Sequence, residues 1–296
     1  MDRPPCQQAR HRLLIKLLIY NKESRTIMNI LSAKALAGRV GAALVGVAAI
    51  ALAGAASAET IRIGVSAGPH AQILDAVKPI AAKQGLDIKI IEFTDYVIPN
   101  AALASGEIEA NSFQHQPYLD NQVQDRGYKL VSVGKTVVFP MGIYSKKVKK
   151  LSELSNGASV AIPNDPTNGG RALLLLQDQG LIKLSPEAGL KATPIDITEN
   201  PKKLRIVELD AAQLPRSLGD VDAAAVNTNY AIESGLNPLT DAIARESAES
   251  PYTNVIAVRE VDKDKPWVKQ LVEAYHTPEV KQFVAEKFKG SVVTGW

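Results

Sequence analysis

The character of the chain changes at Ala58, and that change governs what the rest can fold into. Residues 40–54 (VGAALVGVAAIALAG) are almost wholly apolar, follow Lys34 and Arg39, and lead into the small-residue triplet Ala56-Ser57-Ala58. A basic approach, a short apolar run and an A-x-A close form the pattern of a cleaved secretory signal. The run is shorter than the roughly 20 apolar residues that a membrane span needs. The expected working protein is therefore 59–296, exported through a signal peptide cleaved after Ala58. Met28 opens an ordinary basic n-region (MNILSAKALAGR), so 28–58 is read as the signal peptide. Residues 1–27 are then either an unusually long n-region or lie ahead of a true start at Met28.

Cleavage changes the charge. The full chain has 34 Lys and Arg against 31 Asp and Glu, net +3. Residues 1–58 hold eight of those bases and two of the acids, which leaves 26 bases, 29 acids and a net charge of −3 on 59–296. The basic character belongs to the leader, and nucleic acid is not an expected partner. The one cysteine, Cys6, also lies in the leader. Disulfides, a thiol nucleophile and thiolate metal sites are thus not expected in 59–296, nor is a lipid anchor at the cleavage site, which would need a cysteine there. His70, His115 and His276 have no second histidine at ligand spacing, so no metal is expected. No phosphate-binding glycine motif of either dinucleotide or P-loop type is present, and no cofactor is expected.

After Ala58 the pattern is α/β. TIRIGVSAG (60–68) alternates Ile61, Ile63 and Val65 and ends at Gly68-Pro69, which predicts a strand and a turn. Ile73, Leu74, Val77, Ile80 and Ala81 form one helix face, kinked at Pro79 and stopped by Gly85, and LDIKIIEF (86–93) is the next strand. Such a β-α-β unit implies a parallel sheet. The middle repeats it: a strand at 158–165, a helix at 166–182, a strand at 204–209, a short helix or turn, and a strand at 221–230 running into a loop. The stretch 130–145, interrupted at Pro140, and the extended segment 250–258 predict two crossings between two β-α-β lobes. A hinged clamp follows, with 59–140 and about 251–296 in lobe 1 and about 141–250 in lobe 2. Two helices opening at Pro266 and Pro278 close the chain.

Three groups of residues could carry chemistry. Gly64-Val65-Ser66-Ala67-Gly68 is formally a nucleophile elbow, with Ser66 as nucleophile and His276 as base. It sits on the first strand, before any strand that could supply oxyanion-hole loops, and His276 falls in an amphipathic helix. A strand-end turn lining a cleft is the plainer reading. In PNDPTNGGR (163–171), Asp165-Pro166 starts a helix whose free N–H groups attract anions. Arg171 near that start is locally unfavourable, either a solvated side chain or a fork that grips a carboxylate bidentately. Tyr96, Phe113, His115 and Tyr118 crowd into 23 positions of a chain that is only 5% aromatic. Core packing explains them, as does a box for an apolar or thioether side chain. Asn227 and Asn229 at a strand end suit turn chemistry or recognition of an amino-acid head group.

These segments together resemble the NlpA-type family, the methionine-binding components of bacterial ABC importers. The resemblance covers essentially all of 59–296 and is carried by FTDYVIPNAALASGEIEANSFQHQPYLDNQVQDRGYKL, GIYSKKVKKLSEL, VAIPNDPTNGGRALLLLQ, GLIKL, ENPKKLRIVELDAAQLPRSL, VNTNYA, ESPYTN and the final GW. It implies an α/β, two-lobed periplasmic-binding-protein fold of type II-like architecture, with two hinge strands and no enzymatic activity. The implied ligand is methionine, and the implied partner is a membrane ABC transporter permease, served by a monomer in the periplasm. On this resemblance Arg171 meets the ligand α-carboxylate and Asn227 the head group. Tyr96, Phe113 and Tyr118 wall the thioether pocket, His115 stands at its edge, and Asn168 and Asn229 are further ligand-binding candidates. A methionyl dipeptide or another apolar amino acid is the alternative ligand, and a secreted serine hydrolase using Ser66 the alternative class. Family members are commonly lipoproteins, whereas Ala-Ser-Ala here offers no lipobox cysteine.

Overall fold

The computed structural model describes residues 59–296. The leader, its cleavage site, the start at Met28 and Cys6 lie outside the described residues. In chain order the elements are β1 (Glu59–Ser66), α1 (Pro69–Lys83), β2 (Leu86–Phe93), α2 (Ile98–Ser105), β3 (Ala110–His115), α3 (Gln116–Arg126), β4 (Leu130–Val138), β5 (Gly142–Tyr144), β6 (Ser159–Pro163), α4 (Pro166–Asp178), β7 (Lys183–Leu184), β8 (Ile197–Glu199), β9 (Arg205–Leu209), α5 (Leu214–Ser217), β10 (Ala223–Val226), α6 (Thr228–Glu233), β11 (Ala242–Arg245), β12 (Thr253–Arg259), α7 (Pro266–Tyr275), α8 (Pro278–Phe288) and β13 (Val293–Thr294). They build two mixed sheets, ordered β13-β4-β12-β3-β1-β2 and β11-β5-β10-β6-β9, and a two-stranded β7-β8 ribbon.

Each large sheet contains the same device. β1 lies between β2 and β3, parallel to both, and β6 lies between β9 and β10, parallel to both. An antiparallel strand then closes each trio, β12 against β3 and β5 against β10. Strands covered by helices on both faces cannot alternate apolar and polar, hence the continuous burial of β6 and β10. On the first sheet α1, α7 and α8 cover one face, with Trp267 at 1% exposure in that core, while Leu103 of α2 and Leu119 of α3 pack on the other. The chain passes between sheets twice, through 139–141 and 246–252, and neither crossing is a strand. The expected hinge strands are replaced by segments bonded to each other, with Glu246 N donating to the Met141 carbonyl at 2.9 Å and Met141 N to Glu246 Oε2 at 2.8 Å.

Several local expectations change. The helix expected over 166–182 stops at Asp178, because Gly180 turns left-handed at φ +72°. The loop expected after β10 is the short helix α6, which starts at Asn227 without a capping bond from that side chain. Pro79 stays inside α1, on its exposed side, where the carbonyl it leaves unpaired is open to solvent. His276 terminates α7 rather than lying within it; its Nε2 bonds the Lys135 carbonyl at 2.7 Å and its ring stacks on Trp296.

Gly169 and Gly170, costly inside a helix, are required by close approach. A Cβ on Gly169 would stand 2.8 Å from the Pro163 carbonyl oxygen, and one on Gly170 2.4 Å from that of Leu190 and 2.8 Å from Ala192 N. Backbone cannot swing aside as a side chain can. Gly170→Ala is therefore expected to lower stability by up to ~2 kcal/mol, an overpacking cost of roughly 1–3 kcal/mol less the ~1 kcal/mol gain in helix propensity. Urea denaturation checks it, and an unchanged midpoint would show that 189–192 gives way freely.

Candidate functional site

The eight residues singled out in the sequence all line one cavity. Tyr96, Phe113, His115, Tyr118, Asn168, Arg171, Asn227 and Asn229 line it together with His70, Gln114, Phe139 and Asn254. The walls come from both sheets: Tyr96 follows β2, Phe113 and His115 end β3, and Tyr118 opens α3. Opposite them, Asn168 and Arg171 lie on α4, Asn227 follows β10, and Asn229 lies on α6.

One end is aromatic. Tyr96, Phe113 and Tyr118 stand 6.0–6.2 Å apart between ring centroids, at tilted or edge-on angles that such pairs favour. Hydrogen bonds hold the rings: Tyr118 Oη donates to the Tyr96 carbonyl at 2.9 Å, and Tyr96 Oη to Asn229 Oδ1 at 2.6 Å. Burial pushes both phenols up, so they remain donors. The irregular polar stretch around Phe113 is in fact strand β3, buried at all six positions. Its polar side chains are paired, with Asn100, Asn111 and Gln114 exchanging amide hydrogen bonds of 2.7–2.9 Å behind the wall.

The other end is a polar network with fixed direction. Asp165 caps α4, accepting from Asn168 N at 2.9 Å and from Asn168 Nδ2 at 3.0 and 3.1 Å. Asn168 Oδ1 in turn accepts from Asn227 Nδ2 at 2.8 Å and from His115 Nε2 at 3.2 Å. Because Tyr118 N donates to His115 Nδ1 at 3.1 Å, the His115 proton sits on Nε2. His70 is the mirror case: Asn254 Nδ2 can only donate, so Nε2 accepts at 2.9 Å and the proton sits on Nδ1. Burial lowers both imidazoles to about 3, and they are neutral. Three buried polar atoms around the cavity have no partner: His70 Nδ1, Asn227 Oδ1 and Asn229 Nδ2. Such atoms in a native site call for a ligand or ordered water.

Arg171 already grips a carboxylate of the protein bidentately, that of Glu246. Its fork does not face an open position; Nε and Nη2 hold Glu246 Oε1 and Oε2 at 2.8 and 2.6 Å, and Nη2 also donates to the Phe139 carbonyl at 2.8 Å. The guanidinium lies 4.3 Å over the Tyr252 ring. The pair explains how a cation tolerates this part of α4, and among the described residues it leaves Nη1 without a hydrogen-bond partner. Glu246, Tyr252, His70, Gln114, Phe139 and Asn254 are the residues that sequence reasoning misses. Only Tyr252, just before β12, and Asn254, its second residue, carry even a weak signal. Ser66, by contrast, is buried with no partner for Oγ and no base bonded to it. Its glycines answer to packing: a Cβ on Gly64 would meet Ile108 and Phe93, and Gly68 has φ +77°.

Among the described residues no helix is long and apolar enough to cross a membrane, and no group of metal-ligating side chains is present. The model of the family described as NlpA lipoprotein matches residues 61–296. The D-methionine-binding lipoprotein MetQ of Escherichia coli strain K12 is 52% identical over 239 residues, 80% of this chain and 88% of that protein. The protein of the same name from Salmonella typhimurium is 52% identical over 261 residues, 86% of this chain and 96% of the other. Among solved structures, a nutrient binding protein from Burkholderia cenocepacia bound to methionine superposes with TM-score 0.78 at 60% identity. That match covers 80% of this chain and all of that one.

Proposed function

The chain belongs to the NlpA lipoprotein family, and on that premise we propose that it is a methionine-binding protein, and no enzyme, that serves an ABC importer. The observation that carries this reading is the pairing of an aromatic wall with oriented, unpartnered polar atoms across one enclosed cavity. An amino acid with an apolar thioether tail has the same two ends. The carboxylate takes Arg171 Nη1 and Asn229 Nδ2. The ammonium takes Asn227 Oδ1, an acceptor held in place through Asn168. The thioether lies among Tyr96, Phe113 and Tyr118, where each sulfur–ring contact is worth roughly 0.3–1.5 kcal/mol, with His115 at the edge. Desolvation of a zwitterion is tolerable only if both charges are paired.

The two sheets with their helices act as the two lobes, 59–140 with about 251–296 and about 141–250. Hydrogen bonds already join them across the cavity, Tyr96 to Asn229, His115 to Asn168, and Tyr230 Oη to the Thr94 carbonyl at 3.2 Å. This is the arrangement of a closed clamp, which opens about 139–141 and 246–252 to exchange ligand. An extracytoplasmic placement accompanies family membership. The finer placement in this proposal is a periplasmic monomer without a lipid anchor, which hands its ligand to a membrane permease.

Calorimetric titration of the protein, unfolded and refolded to strip co-purified ligand, tests the reading. Sub-micromolar binding selective for methionine among amino acids is the expected result. Tighter binding of methionyl dipeptides would reassign the ligand, and no binding of either would refute the proposal.

A further inference from the structure

The network behind the head-group end has a root that touches no ligand. Asp165 is half-buried at the start of α4, and its carboxylate accepts four hydrogen bonds, three from Asn168 and one from Thr167 Oγ1. Burial pushes this carboxyl up, and those hydrogen bonds pull it back. Four donors converging on one carboxylate favour its ionised form.

A buried asparagine can turn either end of its amide to a cavity, and the two ends favour opposite ligands. Here the choice is removed. Asp165 draws the Asn168 amine, which turns Asn168 Oδ1 outward. That oxygen draws the Asn227 amine at 2.8 Å and the His115 Nε2 proton at 3.2 Å. Asn227 is then left with Oδ1 toward the cavity, buried and unpartnered. Two amides in series carry the direction of one half-buried anion to an acceptor-only pole.

Resting on the methionine reading above, we propose that Asp165 is a positioning residue that sets the specificity of the site for a protonated α-amine, acting through Asn168 and Asn227. A ligand with the same thioether and carboxylate but a neutral α-hydroxyl gains least from this pole. Were Asp165 only a helix cap, its loss would weaken every ligand by the same factor.

The experiment compares methionine with its α-hydroxy analogue, 2-hydroxy-4-(methylthio)butanoate, by calorimetry on wild type, Asp165→Ser and Asp165→Asn. Serine and asparagine are themselves good N-caps, so α4 is retained, and thermal unfolding verifies this. The expected wild-type preference for methionine is at least ~100-fold, each decade being ~1.4 kcal/mol. It should shrink to ~10-fold or less in Asp165→Ser, with the affinity for the hydroxy acid changed by less than ~3-fold. Should the serine variant not fold, Asp165→Asn, which keeps an acceptor for Asn168 N but has one acceptor oxygen fewer, should narrow the preference in the same direction. Equal weakening of both ligands, or an unchanged preference, overturns the relay while leaving the methionine reading intact. A wild type that binds neither ligand overturns that reading and the relay with it.

Discussion

Arg171→Ala is expected to weaken methionine binding at least ~30-fold, about 2 kcal/mol, and to destabilise the free protein by roughly 3–5 kcal/mol. The two losses have different causes. Affinity falls because, among the described residues, Arg171 is the one cationic side chain that lines the cavity, and a carboxylate bound without it keeps a desolvated charge unpaired. Stability falls because Glu246, whose side chain is 11% exposed, loses the fork that neutralises it and retains only the Met141 N–H. A second substitution separates them. Arg171→Ala with Glu246→Ala removes the stranded charge and should recover most of the unfolding free energy, while affinity stays low. Urea denaturation without ligand reads the first quantity and calorimetry the second. Full affinity in Arg171→Ala would sink the carboxylate assignment.

This ion pair also links the site to the crossings. Glu246 lies in one crossing and bonds Met141 in the other, and Phe139, whose carbonyl receives the second Nη2 hydrogen, precedes Met141 in the chain. The guanidinium that would meet ligand is thus held by both connections between the sheets. Ligand bound at Nη1 would stiffen the segments about which a clamp must bend.

The parts legible in the sequence are those set by local pattern. Alternation marked β1 and β2, a single apolar face marked α1, and prolines marked the starts of α7 and α8, because these depend on neighbours two to four residues away. The aromatic cluster was legible because rings are scarce in this chain. Arg171 was legible as a misfit, a cation near a helix start. Its resolution was not, since Glu246 is 75 positions distant and nothing in spacing distinguishes that acid from others in its loop. His70 is a lone histidine on an amphipathic helix, and only the fold stacks it 4.4 Å from Phe139 and beside Asn254. Strand β3 read as too polar for a core because its amides are satisfied by one another and by α2, a tertiary fact. Helix α6, six residues long, is too short for any period to show.

The same two histidines yield the largest expected response to solution conditions. His70 and His115 are fully enclosed, and burial holds both near 3, whereas in the unfolded chain each takes a proton near 6.5. Between those values the unfolded state binds more protons than the folded one. Stability is therefore complete above about pH 6.5 and falls as pH drops toward 3, by up to ~1.4 kcal/mol per unit for each histidine. By pH 5 the two together should have removed about 4 kcal/mol. Asp165 acts in the opposite sense, its raised carboxyl gaining a proton more readily when folded. The urea midpoint measured from pH 7.5 to 5 should fall accordingly. His115→Asn, which keeps a capping side chain for α3, and His70→Asn should each remove about half of the slope. A slope unchanged in both variants would assign the acid sensitivity to other groups. Methionine affinity above the unfolding range should stay flat with pH, because neither imidazole changes charge in the folded protein. Acid then acts on the clamp by unfolding it and leaves the chemistry of its grip unaltered.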